Sequence, residues 1–296
     1  MLKKNFIRII PKSIRNKAKK IFRNIKYHNL RQDIMNFTKG KIGYEDVYKF
    51  LKENCIELFP HDFINKYDRY DTETIKVFND KKNRKYVLYN GKKMYFKKSM
   101  QSEEIQEYIM GTIIEQDEES PHCYPLSDVQ DKAIVADFGV AEGCWGLSII
   151  DKVSKLYIFE CDPEWCEALQ LTFKPWKDKV EIINKYIDVK SGVDTVSVDD
   201  FFENIDLDYA KADIEGFEIP MLKGGKQTFT NKVSGCAICT YHTINAPHDI
   251  RSILVDYGFS THYSKGYMLP FSDASMDTFR EPYLREVLCI GKKNRA

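Results

Sequence analysis

Residues 134–143, Ile-Val-Ala-Asp-Phe-Gly-Val-Ala-Glu-Gly, set two carboxylates, Asp137 and Glu142, beside two glycines, Gly139 and Gly143. The apolar run ending on Asp137 reads as a strand, the glycines as a turn that needs bare backbone, and 144–150 as the start of a helix. A strand, a glycine turn and a helix bring a nucleotide-like ligand against helix N–H groups and the positive end of the dipole. The spacing is not the G-x-G-x-x-G that grips a pyrophosphate. Acids at this turn repel a pyrophosphate and suit a ligand with a cationic centre and an amino group.

S-adenosylmethionine (SAM) is such a ligand, with a sulfonium, an ammonium, a ribose and no phosphate. A further acid supports it. Lys155-Leu-Tyr-Ile-Phe-Glu160 reads as the next strand, ending on Glu160, 23 residues after Asp137. A carboxylate at that tip is placed to accept hydrogen bonds from ribose hydroxyls. Asp162-Pro163 then opens a helix, with Asp162 the expected N-cap and Pro163 its first residue.

Tyr209-Ala-Lys-Ala-Asp-Ile-Glu-Gly216 is the second cluster. Its strand ends on Asp213, with Glu215 in the turn and a helix expected over 217–229, Pro220 in its first turn. If this strand neighbours the first, Asp213 stands beside Asp137. Two carboxylates there could steer a hydroxyl nucleophile, accept its proton or hold an ammonium; the structural alternative makes Glu215 a partner of the helix dipole. Thr240-Tyr-His242 ends the following strand, and a histidine there titrates near neutrality. Ser120, His122 and Tyr124 precede the first strand closely enough to reach over a ligand. Cys236 and Cys239 have Cys-x-x-Cys spacing, but on a strand they face opposite ways and cannot share a metal, so no metal is expected.

These residues need a scaffold, and the chain spells one. From residue 133 strands are expected at 133–137, 155–160, 180–184, 207–213, 236–242, 259–263 and 286–291, with helices between most of them. Such alternation predicts an α/β fold with a mostly parallel seven-stranded sheet and a ligand at its carboxyl edge, the last two strands forming an antiparallel pair. Upstream, 44–58 has helical spacing, 86–96 is a hairpin turning on Asn90-Gly91, 103–115 is a helix and 116–130 a polar loop. The expected domains are a basic helical segment (1–40), an α+β extension (41–130) and the ligand-binding domain (131–296).

A net charge of +1 hides an asymmetry: eleven Lys or Arg precede the first acid, Asp33, leaving 34 basic against 44 acidic residues in the rest. Ile14, Ala18, Ile21, Phe22 and Ile25 recur at helical spacing. A basic amphipathic helix can lie on an anionic membrane or dock on an acidic partner, or its stripe can pack on its own domain. The acidic remainder would repel nucleic acid, so no nucleic-acid partner is expected. No apolar run reaches bilayer length and no secretory signal is present, so a cytoplasmic chain is expected, or one peripheral on the membrane's inner face.

The chain resembles the FkbM-like family of SAM-dependent methyltransferases over at least 133–263. Four blocks carry the resemblance: Asp-Phe-Gly-Val-Ala-Glu-Gly at 137–143, Phe-Glu-Cys-Asp-Pro at 159–163, Val-Ser-Val-Asp-Asp-Phe-Phe at 196–202 and Lys-Ala-Asp-Ile-Glu-Gly-Phe-Glu at 211–218. Shorter strings, Ser120-Pro-His-Cys-Tyr124 and Thr240-Tyr-His242, look like a bacterial branch associated with surface-polysaccharide loci. The resemblance implies a class I SAM-methyltransferase (Rossmann-like) fold with SAM as methyl donor. It implies that Asp137, Gly139, Glu142 and Gly143 hold the methionine part and Glu160 the ribose, with a residue near Tyr186 to Asp188 flanking adenine. Asp213 and Glu215 would border the transfer site. At the fifth strand Tyr-His stands where the family more often has Glu-x-His. The expected activity is O-methylation of a sugar hydroxyl, with His242 or Asp213 as base, on a glycan acceptor. The competing readings are a catalytically silent binding module in a glycan-assembly complex and, disfavoured by the missing third glycine, an NAD-type oxidoreductase.

Overall fold

A computed structural model of the chain describes residue 18 and residues 21–67, 74–271 and 279–293. It divides into two compact units, 1–74 with 266–285, and 75–265 with 286–296.

The first unit holds α1 (His28–Thr38) and α2 (Glu45–Glu53), followed by a 3₁₀ turn, Asp62–Tyr67. Leu30 and Ile34 of α1 and Val47, Phe50 and Leu51 of α2 bury against Leu269, Phe271, Phe279 and Leu284. The core is therefore closed by a stretch more than two hundred residues away in sequence. Neither short helix can bury its stripe without that return segment, so these compact units are divided differently from the expected segments 1–40, 41–130 and 131–296. Ahead of α1, residues 21–26 are helical, Arg23 pairs with Glu57, and Tyr27 packs edge-on against Phe271 with centroids 5.0 Å apart. Ile21, Phe22 and Ile25 are 59%, 67% and 73% exposed, so at these positions the apolar stripe does not pack on its own domain. Ile14 and most of the basic segment lie outside the described residues.

The second unit begins with a three-stranded antiparallel sheet, β1 (Phe78–Asn79), β2 (Lys85–Tyr89) and β3 (Lys92–Tyr95). Asn90 and Gly91 turn β2 into β3 with φ of 49° and 76°, the left-handed pair the Asn-Gly signal demands. Helix α3 (Ser102–Glu115) follows. The main sheet contains β4 (Ile134–Phe138), β5 (Lys155–Phe159), β6 (Val180–Ile183), β9 (Tyr209–Ala212), β10 (Gly235–Cys239), β11 (Ser260–Tyr263) and β12 (Leu288–Lys292), while β7 (Tyr186–Ile187) and β8 (Thr195–Val196) pair separately. The order is β11-β12-β10-β9-β4-β5-β6, and only β12 runs antiparallel to its neighbours. All seven expected sheet strands are present, and the last two form the expected antiparallel pair.

Between strands lie α4 (Cys144–Ile149), α5 (Pro163–Thr172), α6 (Val198–Phe201), α7 (Glu218–Gly224), α8 (Lys226–Asn231) and α9 (Ala246–Asp256). The single helix expected over 217–229 is two. A Cβ on Gly224 would stand 2.6 Å from the Asp188 carbonyl, so the chain breaks there to admit the backbone at Asp188. The hairpin belongs with this unit: the Tyr95 N–H donates to Thr172 Oγ1 at 2.9 Å, and Lys97 pairs with Asp162. Asp162 caps α5 through the Glu164 N–H at 2.8 Å, as its place before Pro163 predicts. Strand order reverses at β4, with β5 parallel to it on one side and β9 on the other, which opens a crevice at their carboxyl ends. Among the described residues no helix is long and apolar enough to cross a membrane.

Candidate active site

The crevice holds a cavity of about 490 Å³, within the range of roughly 300–1,000 Å³ typical of ligand sites. Its floor is made by three strand tips.

At the first tip Gly139 has φ +72°, and a Cβ there would stand 1.9 Å from the Asp213 carbonyl oxygen. Only glycine lets the tips of β4 and β9 approach this closely. Gly143, at φ +85°, faces the ends of Leu169 and Phe173 instead. Between them the Val140 and Ala141 N–H groups donate to Glu160 Oε2 at 3.2 and 2.9 Å, and the Asp162 N–H donates to Oε1 at 2.9 Å. The loop's exposed donors thus find their anion within the chain, which is why this turn has no need of a pyrophosphate. A carboxylate offers about four lone-pair positions, so Glu160 keeps about one for a ligand hydroxyl.

Asp137 and Lys211 are paired across β4 and β9, register partners with Lys211 Nζ 3.0 Å from Asp137 Oδ1. Lys211 also donates to the Gly139 carbonyl at 2.6 Å. Burial pushes the Asp137 carboxyl up to about 6 against the pull of Lys211. Burial disfavours the Lys211 charge, but Asp137 and Asp213 outweigh it and raise the ammonium above its ordinary value. A chain-supplied cation therefore sits among the acids. Lys211 lies in the 211–218 block, yet its role was missed because a lysine in a strand reads as an edge or solvent residue.

Asp213 is the hub. Its N–H donates to the Phe138 carbonyl at 2.9 Å, fixing it beside the first tip. Tyr124 Oη donates to Oδ2 at 2.9 Å and Tyr241 Oη to Oδ1 at 3.0 Å. His122 Nε2 and His242 Nε2 stand 3.5 and 3.4 Å away. Burial works against its charge, but His122, Lys211 and His242 hold the carboxyl well below the usual range. Such an anion is a weak base and a strong anchor.

His242 does not line the cavity. Its Nδ1 lies 2.9 Å from Oε1 of Glu218, a buried carboxylate that also accepts the Ile214 N–H at 2.9 Å. Burial lowers the imidazole's pKa, but Glu218, Asp213 and Glu215 together raise it above 6.5. The tip of β10 offers Tyr241 to the cavity and turns His242, expected as a candidate base, toward the carboxylates of Asp213, Glu215 and Glu218. Glu215 lines the cavity from a turn with φ 53°, its side chain exposed. Of the expected adenine-flanking stretch, Asp188 is set apart from Tyr186 and Ile187. It is absent from the lining, where Lys185, Tyr186 and Ile187 stand instead, and its carboxylate accepts the neighbouring Val189 N–H at 2.7 Å.

Residues before β4 complete the walls. Tyr108 Oη donates to Glu142 Oε2 at 2.7 Å, and His122 and Tyr124 reach the lining, where the sequence had placed a covering loop. Nothing in their local pattern predicts their convergence on Asp213. All eight cysteines are unbridged, and Cys239 meets Tyr124 Oη at 3.2 Å while Cys236 abuts Gly291.

A sheet of this order, with a ligand cavity at the reversal point and an acid-rimmed glycine turn, defines the class I methyltransferase fold. Residues 180–261 match the family model of the methyltransferase FkbM domain. Residues 180–261 are thus FkbM-like, and S-adenosyl-L-methionine is the methyl donor of that chemistry. No curated protein matches the sequence. By structure the chain is similar to a methyltransferase FkbM from Methylobacillus flagellatus at 17% identity and a TM-score of 0.44, over 55% of this chain and 44% of that one. It is similar to a precorrin-6y C5,15-methyltransferase from Geobacter metallireducens at 9% identity and a TM-score of 0.40, over 68% and 95% of the two chains. M. capricolum TrmK in complex with S-adenosyl-homocysteine aligns at 12% identity and a TM-score of 0.37, over 57% and 66%. The chain spans less than half the length of the Methylobacillus protein.

The cavity's own atoms fit the donor. Glu160 has a lone pair for ribose, Phe159 and Ile187 offer apolar surface to a purine, and the acids beyond favour a sulfonium over a phosphate.

Proposed function

We propose that the chain is an O-methyltransferase acting on a sugar hydroxyl of a bacterial surface glycan or its precursor. The observation that carries this reading is the polar character of the cavity wall around Asp213: phenols, carboxylates, an amide and an imidazole, with Lys211 already paired to Asp137 and Lys185 beside Tyr186 and Ile187. A neutral polyhydroxylated acceptor meets such a wall well, and a polyanion does not. SAM, when bound, supplies an electrophilic methyl group. Catalysis by the protein is then mainly placement, holding the acceptor oxygen in line at about 3 Å from the methyl carbon. Asp213, held ionised and clamped by two phenols, keeps the positively charged donor in place while the oxygen approaches.

Calorimetry with SAM, followed by labelled SAM with separated glycan and RNA fractions, tests the reading. Saturable SAM binding and label in glycan support it; label in RNA alone, or no SAM binding, ends it.

The exposed Ile21, Phe22 and Ile25, in a segment with eleven basic residues before its first acid, support a partner as well: an anionic membrane surface bearing lipid-linked glycans. Deleting residues 1–30 should abolish sedimentation with anionic vesicles, and unchanged sedimentation ends the idea.

A further inference from the structure

Helix α3 turns one face into the cavity: Tyr108, Thr112, Glu115 and Gln116 all line it, at the i, i+4, i+7, i+8 spacing of a single helical stripe. A stripe in that position is normally apolar, and this one is polar throughout. Three of the four side chains are committed within the protein. Tyr108 donates to Glu142 at 2.7 Å, Thr112 Oγ1 to the Tyr108 carbonyl at 3.3 Å, and Gln116 spans the loop, donating to the His122 carbonyl and accepting the Tyr124 N–H, each at 3.4 Å. Glu115 differs: among the described residues its carboxylate has neither a hydrogen-bond nor an ion-pair partner.

Its position is unfavourable in two further ways. It is the last residue of α3, where the helix dipole repels a negative charge. It is also half-buried, with Asp213 and Glu142 adding their negative charge and only His122 opposing them. A carboxylate unpaired, at the wrong end of its helix and among other acids, does nothing for the stability of the fold.

We propose that Glu115 is the catalytic base, taking the proton from the acceptor hydroxyl at the methyl-transfer end of the cavity. The acceptor oxygen uses a lone pair to form the O–CH₃ bond as the S–CH₃ bond breaks and its electron pair returns to sulfur. The hydroxyl proton passes to a Glu115 oxygen and then to water, leaving S-adenosylhomocysteine and the methyl ether. Burial, with Asp213 and Glu142, raises the Glu115 carboxyl above its ordinary value, which brings its basicity toward what the task needs. Asp213 is thereby relieved of the base role and acts as a positioning residue.

The inference rests on the methyltransferase reading, and the test separates the two. Binding of SAM, with its sulfonium, should draw Glu115 into its ionised form and release a proton. Binding of S-adenosylhomocysteine, with a neutral sulfur, should release less. Calorimetry of both ligands in two buffers of different ionisation enthalpy counts those protons in full-length protein. In Glu115→Gln the extra release with SAM should vanish, and SAM should lose roughly 5-fold or more in affinity relative to S-adenosylhomocysteine. An infrared titration of the free protein should lose one carboxyl titrating above the ordinary glutamate range. With an acceptor in hand, turnover should fall about 10²–10⁴-fold, and Glu115→Asp should recover part of it. Equal proton release by wild type and Glu115→Gln overturns the inference alone. Failure of SAM to bind either protein overturns the reading beneath it.

Discussion

At one end of the cavity Gly139 and Gly143 hold positive φ angles, and Glu160 gathers the loop amides between them. At the other end Glu115, His122, Tyr124 and Tyr241 stand around Asp213, three of them from chain that precedes β4. The first end is made of backbone and its polar groups are internally satisfied. The second is made of side chains, with charges held in conflict. The donor end needs only to recognise one ligand and can be rigid. The acceptor end must stabilise a changing charge, and it tolerates an unpaired carboxylate to do so.

The sharpest way to break this contrast is at the backbone end. Gly139→Ala puts a methyl group 1.9 Å from a carbonyl oxygen that cannot move without parting β4 from β9. We expect destabilisation of more than about 4 kcal/mol in urea unfolding and no measurable SAM binding. Gly143→Ala carries the strain of a side chain at φ +85°, but its methyl group meets the ends of Leu169 and Phe173, 2.9 Å away, which can shift. It should retain the fold and weaken SAM. If both behave alike, the close approach of the tips is not what Gly139 is for.

Next comes the buried pair below both ends. Asp137→Asn leaves Lys211 charged and uncompensated, at a cost of about 3–5 kcal/mol in denaturant unfolding. Adding Lys211→Met should restore most of that. A double variant no better than the single one would mean that Lys211 is held by Asp213 and the Gly139 carbonyl rather than by Asp137.

The same contrast explains what could be read from the chain in advance. Elements whose cause is local were legible: the alternation of seven strands, the Asn90-Gly91 turn, the Asp162 cap, the glycine turn at 139–143. The carboxylates at the strand tips followed from these, because a sheet of this type places its strand ends on one edge. What stayed hidden depends on distance in sequence. Lys211 finds Asp137 only through parallel pairing, and His242 turns away from the cavity because Glu218, the first residue of α7, holds its Nδ1. The return of residues 266–285 to close the core begun by α1 and α2 is hidden for the same reason.

A smaller effect is expected from Glu160→Gln at the donor end. The amide keeps one acceptor oxygen for the Val140 and Ala141 N–H groups and loses the charge that strengthens them. SAM affinity should fall about 10-fold, equivalent to ~1.4 kcal/mol, as read by calorimetry. A fall equal to that of Gly139→Ala would show that the carboxylate, not the glycine geometry, organises the loop.

Behind the acceptor end, His242 provides a test by pH. Its folded pKa is raised by Glu218, Asp213 and Glu215, so the stability it contributes is fully present below about 6.5 and is lost as pH rises through the folded value. Wild type should therefore lose stability on that rise, and His242→Gln should lose less of it, measured as unfolding midpoints across the range. A variant with the same slope as wild type would place the charge elsewhere in the Asp213 cluster.

The smallest effect distinguishes lining from proximity in sequence. Asp188 lies one residue beyond Ile187, which lines the cavity, yet its own carboxylate is turned to the Val189 N–H. Asp188→Ala removes that local bond and no wall of the site, so SAM affinity should stay within about 2-fold of wild type, under ~0.5 kcal/mol. The backbone there also approaches Gly224, and its carbonyl, not its side chain, sets the spacing between β7 and the break after α7. A loss approaching that of Glu160→Gln would mean that Asp188 swings into the cavity when the donor binds, and the donor end would then be less rigid than its glycine turn implies.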